Sequence, residues 1–359
     1  MTTAGQTVGP DVSLAVYDTG RVSVEHLRLP ERAAGEIDVA ISAAAICGSD
    51  LHTVLGHRSA PERTALGHEG VGRITDLDDG SADLRGTGLR RGDRVAFALF
   101  SSCGVCDRCR NGLAMKCRSL LKYGHESVLT PPYATGTLAS AVRLLPGVPV
   151  LRIPDDVDDA IMVSAGCAVA TAAAVVATAG SPPPGTPLLI FGAGAVGAYC
   201  AAMLSSLGCA VTVRDPAEER LAIIERFGAM ADRTGEGTYP IVIEASGNAQ
   251  AFMDALQAAD IGGRVVAAGS VSLGNTTASI DPAWLVTRRI TVAGVHNYTA
   301  ADFAQGVDWL LTEGRDLGLQ QLLSAPLPLS EIDDAFTMMR TGRHPRVLVR
   351  PDSAGHGRA

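Results

Sequence analysis

Leu188-Leu189-Ile190-Phe191-Gly192-Ala193-Gly194-Ala195-Val196-Gly197 runs a short apolar strand straight into three glycines. Their spacing suits a tight turn, a close approach of backbone to a pyrophosphate, and a helix packed on a sheet. Residues 195–207 read as that helix and residues 210–214 as the next buried strand, which ends at Asp215. A carboxylate at this point accepts a hydrogen bond from the adenosine ribose 2′-hydroxyl and repels the 2′-phosphate of NADP, so the segment predicts a dinucleotide site that favours NAD. The neighbouring Arg214 would receive a phosphate if its side chain turned inward. Asp215 also stands before Pro216, where a helix N-cap would stand, and it can serve both purposes.

Outward from this stretch, strands at 187–191, 210–214, 241–244, 263–268 and 290–294 alternate with helices at 195–207, 217–227 and 249–259. That alternation predicts a doubly wound parallel sheet. Upstream, Ser181-Pro182-Pro183-Pro184-Gly185 is a linker that no helix crosses. Before it, short β segments at 13–17, 37–45, 70–75 and 94–99 are punctuated by Gly and Asp, which predicts a β-rich, barrel-like domain. The chain beyond 298 ends in another β segment, 346–350, and is too short for a domain of its own. It is expected to return and complete the first domain, giving 1–168 with 298–359 as one domain and 169–297 as the other.

A length of 359 residues exceeds what one hydrophobic core usually supports, in keeping with two domains. A net charge of −8 argues against nucleic-acid binding, which draws on clustered Lys and Arg, and the longest basic cluster, 85–94, is interrupted by glycines. The first ten residues carry neither a basic region nor an apolar core, so no leader peptide is expected, and the tail from 352 reads as disordered. Residues 160–179 are nearly uncharged and about the length of a bilayer span. Their small side chains, mostly Ala, Gly, Ser and Thr, favour a buried helix over a membrane one.

Two cysteine patterns carry chemistry. Cys103, Cys106, Cys109 and Cys117 fall within one short loop, a spacing that closes four thiolates around a tetrahedral zinc. Such a shell has no open position, so this zinc would be structural. A disulfide cluster is the alternative, opposed by the scattered remaining cysteines and by the expected reducing, cytoplasmic setting. Elsewhere Cys47-Gly48-Ser49-Asp50-Leu51-His52, Gly67-His68-Glu69-Gly70 and Cys167 supply soft and imidazole donors, and three protein ligands with one open position define a catalytic zinc. Spacing alone leaves open whether these residues meet, since a lone buried Cys or a core His is otherwise ordinary.

The order of these motifs resembles that of the zinc-containing medium-chain alcohol and polyol dehydrogenases, over about residues 14–350. The resemblance implies a GroES-like β-barrel catalytic domain and a Rossmann domain. It makes Cys47, His68 and Cys167 the ligands of a catalytic zinc, with Glu69 as an alternate ligand or close neighbour, and it has Asp50 orient the His68 ring. It places Thr171 against the nicotinamide, Arg346 against the pyrophosphate, and Gly192, Gly194, Gly197 and Asp215 around NAD. Ser49 and His52 would relay the alcohol proton outward. Two zinc ions per chain and a homodimer or homotetramer are implied as well.

The blocks Ser102 to Leu120, Lys122-Tyr123-Gly124-His125-Glu126 and Gly294-Val295-His296-Asn297-Tyr298 look like a bacterial group linked with phosphonate catabolism, near cyclitol and polyol dehydrogenases. Gly48 and Leu99 depart from the animal-type pattern, which often has an arginine and an aromatic residue there. The expected substrate is therefore a secondary or polyhydroxylated alcohol, whether a cyclitol, polyol or hydroxyphosphonate. The alternatives are a zinc-independent NADPH quinone reductase on the same fold, or a non-catalytic protein that keeps the zinc lobe for binding a partner.

Overall fold

A computed structural model describes residues 8–269 and 277–352. The readings of residues 1–7 and of the tail from 353 lie outside this range. The chain divides into two compact units, residues 1–167 with 323–359 and residues 168–322.

The first unit is built on strand Ile37–Ile46, an almost uninterrupted apolar run that the sheet buries. Glu69–Asp76 pairs with it antiparallel on one side and Val347–Arg350 on the other. Arg94–Phe97 and Val150–Arg152 extend the sheet beyond Glu69–Asp76, Leu327–Pro328 extends it beyond Val347–Arg350, and Ala141–Leu144 also pairs with the central strand. A second sheet orders Arg21–Pro30, Val8–Asp18 and Thr64–Ala65. Its long hairpin turns at Thr19-Gly20, both with positive φ, the geometry that matches a right-handed strand twist. Strand Arg21–Pro30 was not expected from sequence, because its charged residues interrupt the apolar pattern. Phe97, Ile46, Leu66, Leu138 and Tyr123 form the core between the walls of this barrel.

The second unit holds a six-stranded parallel sheet ordered Met230–Ala231, Ala210–Arg214, Pro187–Phe191, Tyr239–Glu244, Ala259–Ala267, Thr291–Gly294. The order reverses between Pro187–Phe191 and Tyr239–Glu244, and the crevice outside the carboxyl ends of strands at such a reversal is where ligands bind in this architecture. Helices Ala195–Ser206, Glu218–Arg226 and Ala249–Ala258 fall close to their expected positions.

The return to the first unit begins later than the expected 298. Helix Ala300–Leu311 stays with the second unit, packed on helix Ala170–Thr178 so closely that a Cβ on Gly306 would meet Val169 Cγ1 at 3.1 Å. The crossing back comes at Leu323, which bridges to Arg346 in parallel. The apolar stretch from Asp159 to Thr178 is the one described helix long and apolar enough to cross a membrane, and 83% of its apolar window is buried inside the protein. It is an α-turn Asp159–Met162, a π-turn Ala165–Val169 and the helix Ala170–Thr178.

Candidate active site and metal centres

The register of three neighbouring strands decides which side chains meet in the first unit. Ala45 stands opposite Glu69 and Ile46 opposite Val347, so Cys47, His68 with Glu69, and Arg346 emerge at the same edge of the sheet. Gly67 makes the approach possible: its φ is +90° and a Cβ there would lie 2.4 Å from the Leu138 nitrogen. Cys167 arrives from the π-turn Ala165–Val169, which rests on strand Arg94–Phe97 so tightly that a Cβ on Gly166 would sit 2.0 Å from the Phe97 carbonyl. Single π-turns inside helices commonly mark functional positions.

Donor atoms of Cys47, His68, Glu69 and Cys167 lie within 4.8 Å of one another. Asp50 organises them from a fully buried position. Its Oδ2 accepts the Cys47 N–H at 2.9 Å, its Oδ1 accepts the Gly67 N–H at 3.1 Å, and Oδ1 lies 3.3 Å from His68 Nδ1. That leaves Nε2 of His68 toward the donors, 3.3 Å from the Ser49 hydroxyl. Burial would lower the His68 pKa, but the charges of Asp50 and Cys47 carry it up to about 10. Cys47 is held well below the ordinary thiol range by its hydrogen bond with Cys167, against burial and with the help of Arg346 and His68, while Cys167 is pushed up in turn.

Glu69 is already engaged. Arg346 grips both its oxygens, with Nε at 2.9 and 3.0 Å and Nη2 at 2.8 Å, and the Ser164 hydroxyl donates to it at 2.7 Å. To ligate a metal, Glu69 would first have to loosen this grip. Arg346, expected on the pyrophosphate, is 5% exposed and spends these donors on Glu69, with Nη1 on the Pro345 carbonyl. Two cysteine sulfurs and one imidazole nitrogen converge on a point with a hydroxyl beside it, and this donor set fits a zinc ion with one position left for an alcohol oxygen.

Ser49 and His52 lie one turn apart on helix Gly48–Val54, with Ser49 half-buried and His52 exposed. Partial burial, together with the nearby His57, lowers the His52 pKa.

The four-cysteine loop is a separate centre. Sγ of Cys106 lies 3.5 Å from Cys109 and 3.9 Å from Cys117, and Cys117 lies 3.4 Å from Cys103. These are the edges of a tetrahedron around a metal with bonds of about 2.3 Å, and far too long for disulfides. Backbone N–H groups of Cys103 and Ser119 point at Cys117 Sγ at 3.3 and 3.4 Å, as suits a thiolate.

In the second unit, Asp215 Oδ2 accepts the Ala193 N–H at 2.7 Å and Oδ1 accepts that of Ala217 at 2.8 Å, so it braces the glycine turn and the turn that follows, but it is not the helix N-cap expected: helix Glu218–Arg226 begins later, with Ala217 as its N-cap. Arg214 is engaged by its own neighbours. It lies over the Phe191 ring and pairs with Asp232 through Nε at 3.0 Å and through Nη2. A Cβ on Gly192 would strike the Ser246 nitrogen at 2.7 Å and one on Gly197 the Gly192 carbonyl at 1.9 Å, but one on Gly194 would meet nothing within 4 Å. Open space at that glycine alone is what a cradle for a pyrophosphate requires. Thr171 is half-buried on the first turn of helix Ala170–Thr178.

Ser164 and Glu244 were missed from sequence. Glu244 is buried at the end of its strand and accepts the Ser246 N–H at 2.7 Å and that of Gly247 at 2.8 Å, shaping the loop beside the glycine turn. A Glu closing an apolar strand just before Ser246-Gly247 was its only sequence signal.

Fold and site together define a zinc-containing medium-chain dehydrogenase. The chain belongs to that family: residues 33–155 match the family described as alcohol dehydrogenase GroES-like domain, and residues 195–312 match the zinc-binding dehydrogenases. It is thus an alcohol-acting oxidoreductase. It is 26% identical over 343 residues to an L-threonine 3-dehydrogenase of Anaeromyxobacter sp., covering 89% of this chain and 93% of the relative. To an alcohol dehydrogenase of Moraxella sp. it is 28% identical over 339 residues, covering 90% and 93%. Its fold is similar to the crystal structure of an alcohol dehydrogenase from Thermotoga maritima, with a TM-score of 0.88, 24% identity, and coverage of 96% of this chain and 100% of that one.

Proposed function

We propose that the protein transfers hydride between a secondary or polyhydroxylated alcohol and NAD, with one catalytic and one structural zinc per chain. The observation that carries this reading is the convergence of Cys47, His68 and Cys167 beside the Ser49 hydroxyl. Held by those three residues, a zinc ion lowers the pKa of an alcohol oxygen toward neutrality. Asp50 fixes the His68 ring through Nδ1 so that Nε2 is the donor. Glu69 stays neutralised by Arg346, which leaves its charge out of competition with the thiolates. Ser49 takes the alcohol proton and passes it toward the exposed His52, a relay that keeps water out of the reacting centre. A zinc-independent quinone reductase would have no use for this donor set.

The preference for NAD rests on Asp215 at the glycine turn and on Asp232, which occupies the guanidinium of Arg214. A 2′-phosphate would meet a carboxylate and find its cation already taken. The test is a panel of cyclitols, sugar alcohols and hydroxyphosphonates with NAD and with NADP. The reading expects NAD reduction with at least one class and a higher kcat/KM for NAD than for NADP. Asp215→Gly should narrow that preference, whereas a wild type that prefers NADP would overturn the cofactor assignment.

A further inference from the structure

Three basic side chains gather beside the Cys47, His68 and Cys167 cluster with no carboxylate of their own among the described residues. Arg58 follows helix Gly48–Val54; its backbone N–H donates to the His52 carbonyl at 3.2 Å, and its Nη1 lies 3.2 Å from Nε2 of His125. The His125 ring in turn lies 5.4 Å from the His68 ring, tilted by 31°. Lys122 sits on the same short segment as His125, on strand Leu121–Lys122. Gly124, between them, has a φ of +77° and packs so closely on the Gly67 backbone that a Cβ would lie 2.6 Å from the Gly67 carbonyl. That contact holds the segment carrying Lys122 and His125 against the chain that presents His68.

All three side chains are half-buried. Burial, helped by the charge of Arg58, lowers the Lys122 pKa to about 8, while Cys167 and Cys47 pull it the other way. Arg58 is likewise lowered by burial, while Asp50 and Cys47 pull it the other way. Both oxygens of Asp50 are spent on the Cys47 and Gly67 N–H groups and on His68, and Glu69 is spent on Arg346. A guanidinium and an ammonium are drawn out of water near each other here, and the opposite charges they feel, Asp50 and the Cys47 and Cys167 thiolates, are committed to the metal-ligand cluster, an arrangement that costs stability packing does not return. Such an arrangement is expected where an anionic ligand completes it.

We propose that Arg58 and Lys122, with His125 between Arg58 and His68, form an oxyanion subsite beside the alcohol site. On this view the protein's substrate is an alcohol carrying a phosphonate, phosphate or carboxylate group. The inference rests on the dehydrogenase reading above and narrows it from neutral cyclitols and polyols to anionic alcohols. Arg58 supplies a fork that matches two oxygens of one anion, and Lys122 adds a point charge.

Two measurements on the zinc-loaded enzyme test it. In calorimetry with methylphosphonate, inorganic phosphate and acetate as probes, at least one should bind the wild type, and its affinity should fall about tenfold or more in Arg58→Gln and in Lys122→Gln. Arg58→Lys should keep part of it, and thermal melts establish that each variant is folded. In kinetics with 2-hydroxypropylphosphonate, 3-hydroxybutyrate and 2-butanol, the wild type should favour an anionic alcohol. The ratio of kcat/KM for anionic over neutral substrate should drop about tenfold in each Gln variant, mostly through KM. Whether the phosphonate or the carboxylate gains more identifies the anion. Probe binding that is absent from the wild type, or unchanged in both Gln variants, overturns the subsite, as does a wild type that favours the neutral alcohol. If no alcohol reduces NAD, the dehydrogenase reading falls, and the calorimetry still decides the subsite.

Discussion

Ser49 is a small residue with one hydroxyl, 3.3 Å from His68 Nε2, and on the proposed reading that is where an alcohol proton would leave. Ser49→Ala removes the first acceptor without touching a ligand. It should lower kcat by about a hundredfold, in the range general acid–base groups contribute, while zinc content and NAD affinity stay near wild type. His52→Gln should cost less, because water can stand in for an exposed imidazole, and added buffer bases should restore part of its rate near neutral pH. Steady-state rates with and without imidazole buffer check both expectations, and full activity in Ser49→Ala would leave it a turn residue. Ser49 and His52 are legible from their positions two and five residues after Cys47 in the order of motifs the family shares. Ser164 escaped notice because a Ser three residues before a Cys has no pattern of its own, and only the fold carries it to Glu69.

At the scale of elements, the glycine turn separates fold from ligand. Gly197→Ala drives a methyl into the Gly192 carbonyl, and it should destabilise the protein by roughly 1–3 kcal/mol or more, the cost of overpacking against rigid backbone. Gly194→Ala places its methyl in open space. It should leave the melting temperature nearly unchanged and weaken NAD binding at least tenfold. Thermal melts and NADH titration distinguish the two variants, and equal losses in both would remove the pyrophosphate assignment.

The pairing of Ala210–Arg214 with Met230–Ala231 carries a pH signature next to this turn. Burial would raise the Asp232 pKa, but Arg214 and the N–H groups of Gly235 and Thr234 bring it down to about 2. A carboxylate depressed on folding stabilises above its unfolded pKa, and loses that contribution as pH falls through the folded value. Asp232→Asn should therefore cost about 2 kcal/mol at pH 7, a difference that holds down to about pH 4 and fades toward pH 2. Denaturant unfolding of both proteins across that range measures it.

For the whole molecule, the proposed reading gives the two cysteine centres different work. The four-cysteine lobe has little else to hold it: helix Asp107–Arg110 buries no residue, and the adjoining turn Ala114–Lys116 buries only Met115. Cys106→Ser, or removal of its metal by a chelator, should lower the melting temperature markedly, because metal affinity there is folding energy. Cys47 stands at the end of the central strand of a barrel held by a large apolar core. Cys47→Ser should abolish turnover with a much smaller thermal shift. Elemental analysis should find about two zinc ions per chain in the wild type and about one in each variant. Equal thermal shifts would contradict this division.

The second unit was nearly legible from the chain alone. Pro187–Phe191 and Ala210–Arg214 have the bounds expected of them, since apolar strands, periodic helices and a glycine-spaced turn are local signals. Its sixth strand, Met230–Ala231, is two residues long and too short to leave a pattern. The four-cysteine lobe was equally local, four ligands within a single loop. The sequence by itself thus determined the sheet, the glycine turn and the closed cysteine centre, each a matter of near neighbours. What only the tertiary structure decided depends on residues far apart in the chain. Strand register and a π-turn carry Cys47, His68 and Cys167 to one point. An ion pair across 277 residues joins Arg346 to Glu69, at the residue for which the resemblance implied a contact with the pyrophosphate. A tight glycine contact brings the segment of Lys122 and His125 against the chain of His68, and Asp232 pairs with Arg214. Spacing along a chain fixes what can touch within a turn or two, and contacts across a sheet edge are set only when the strands pair.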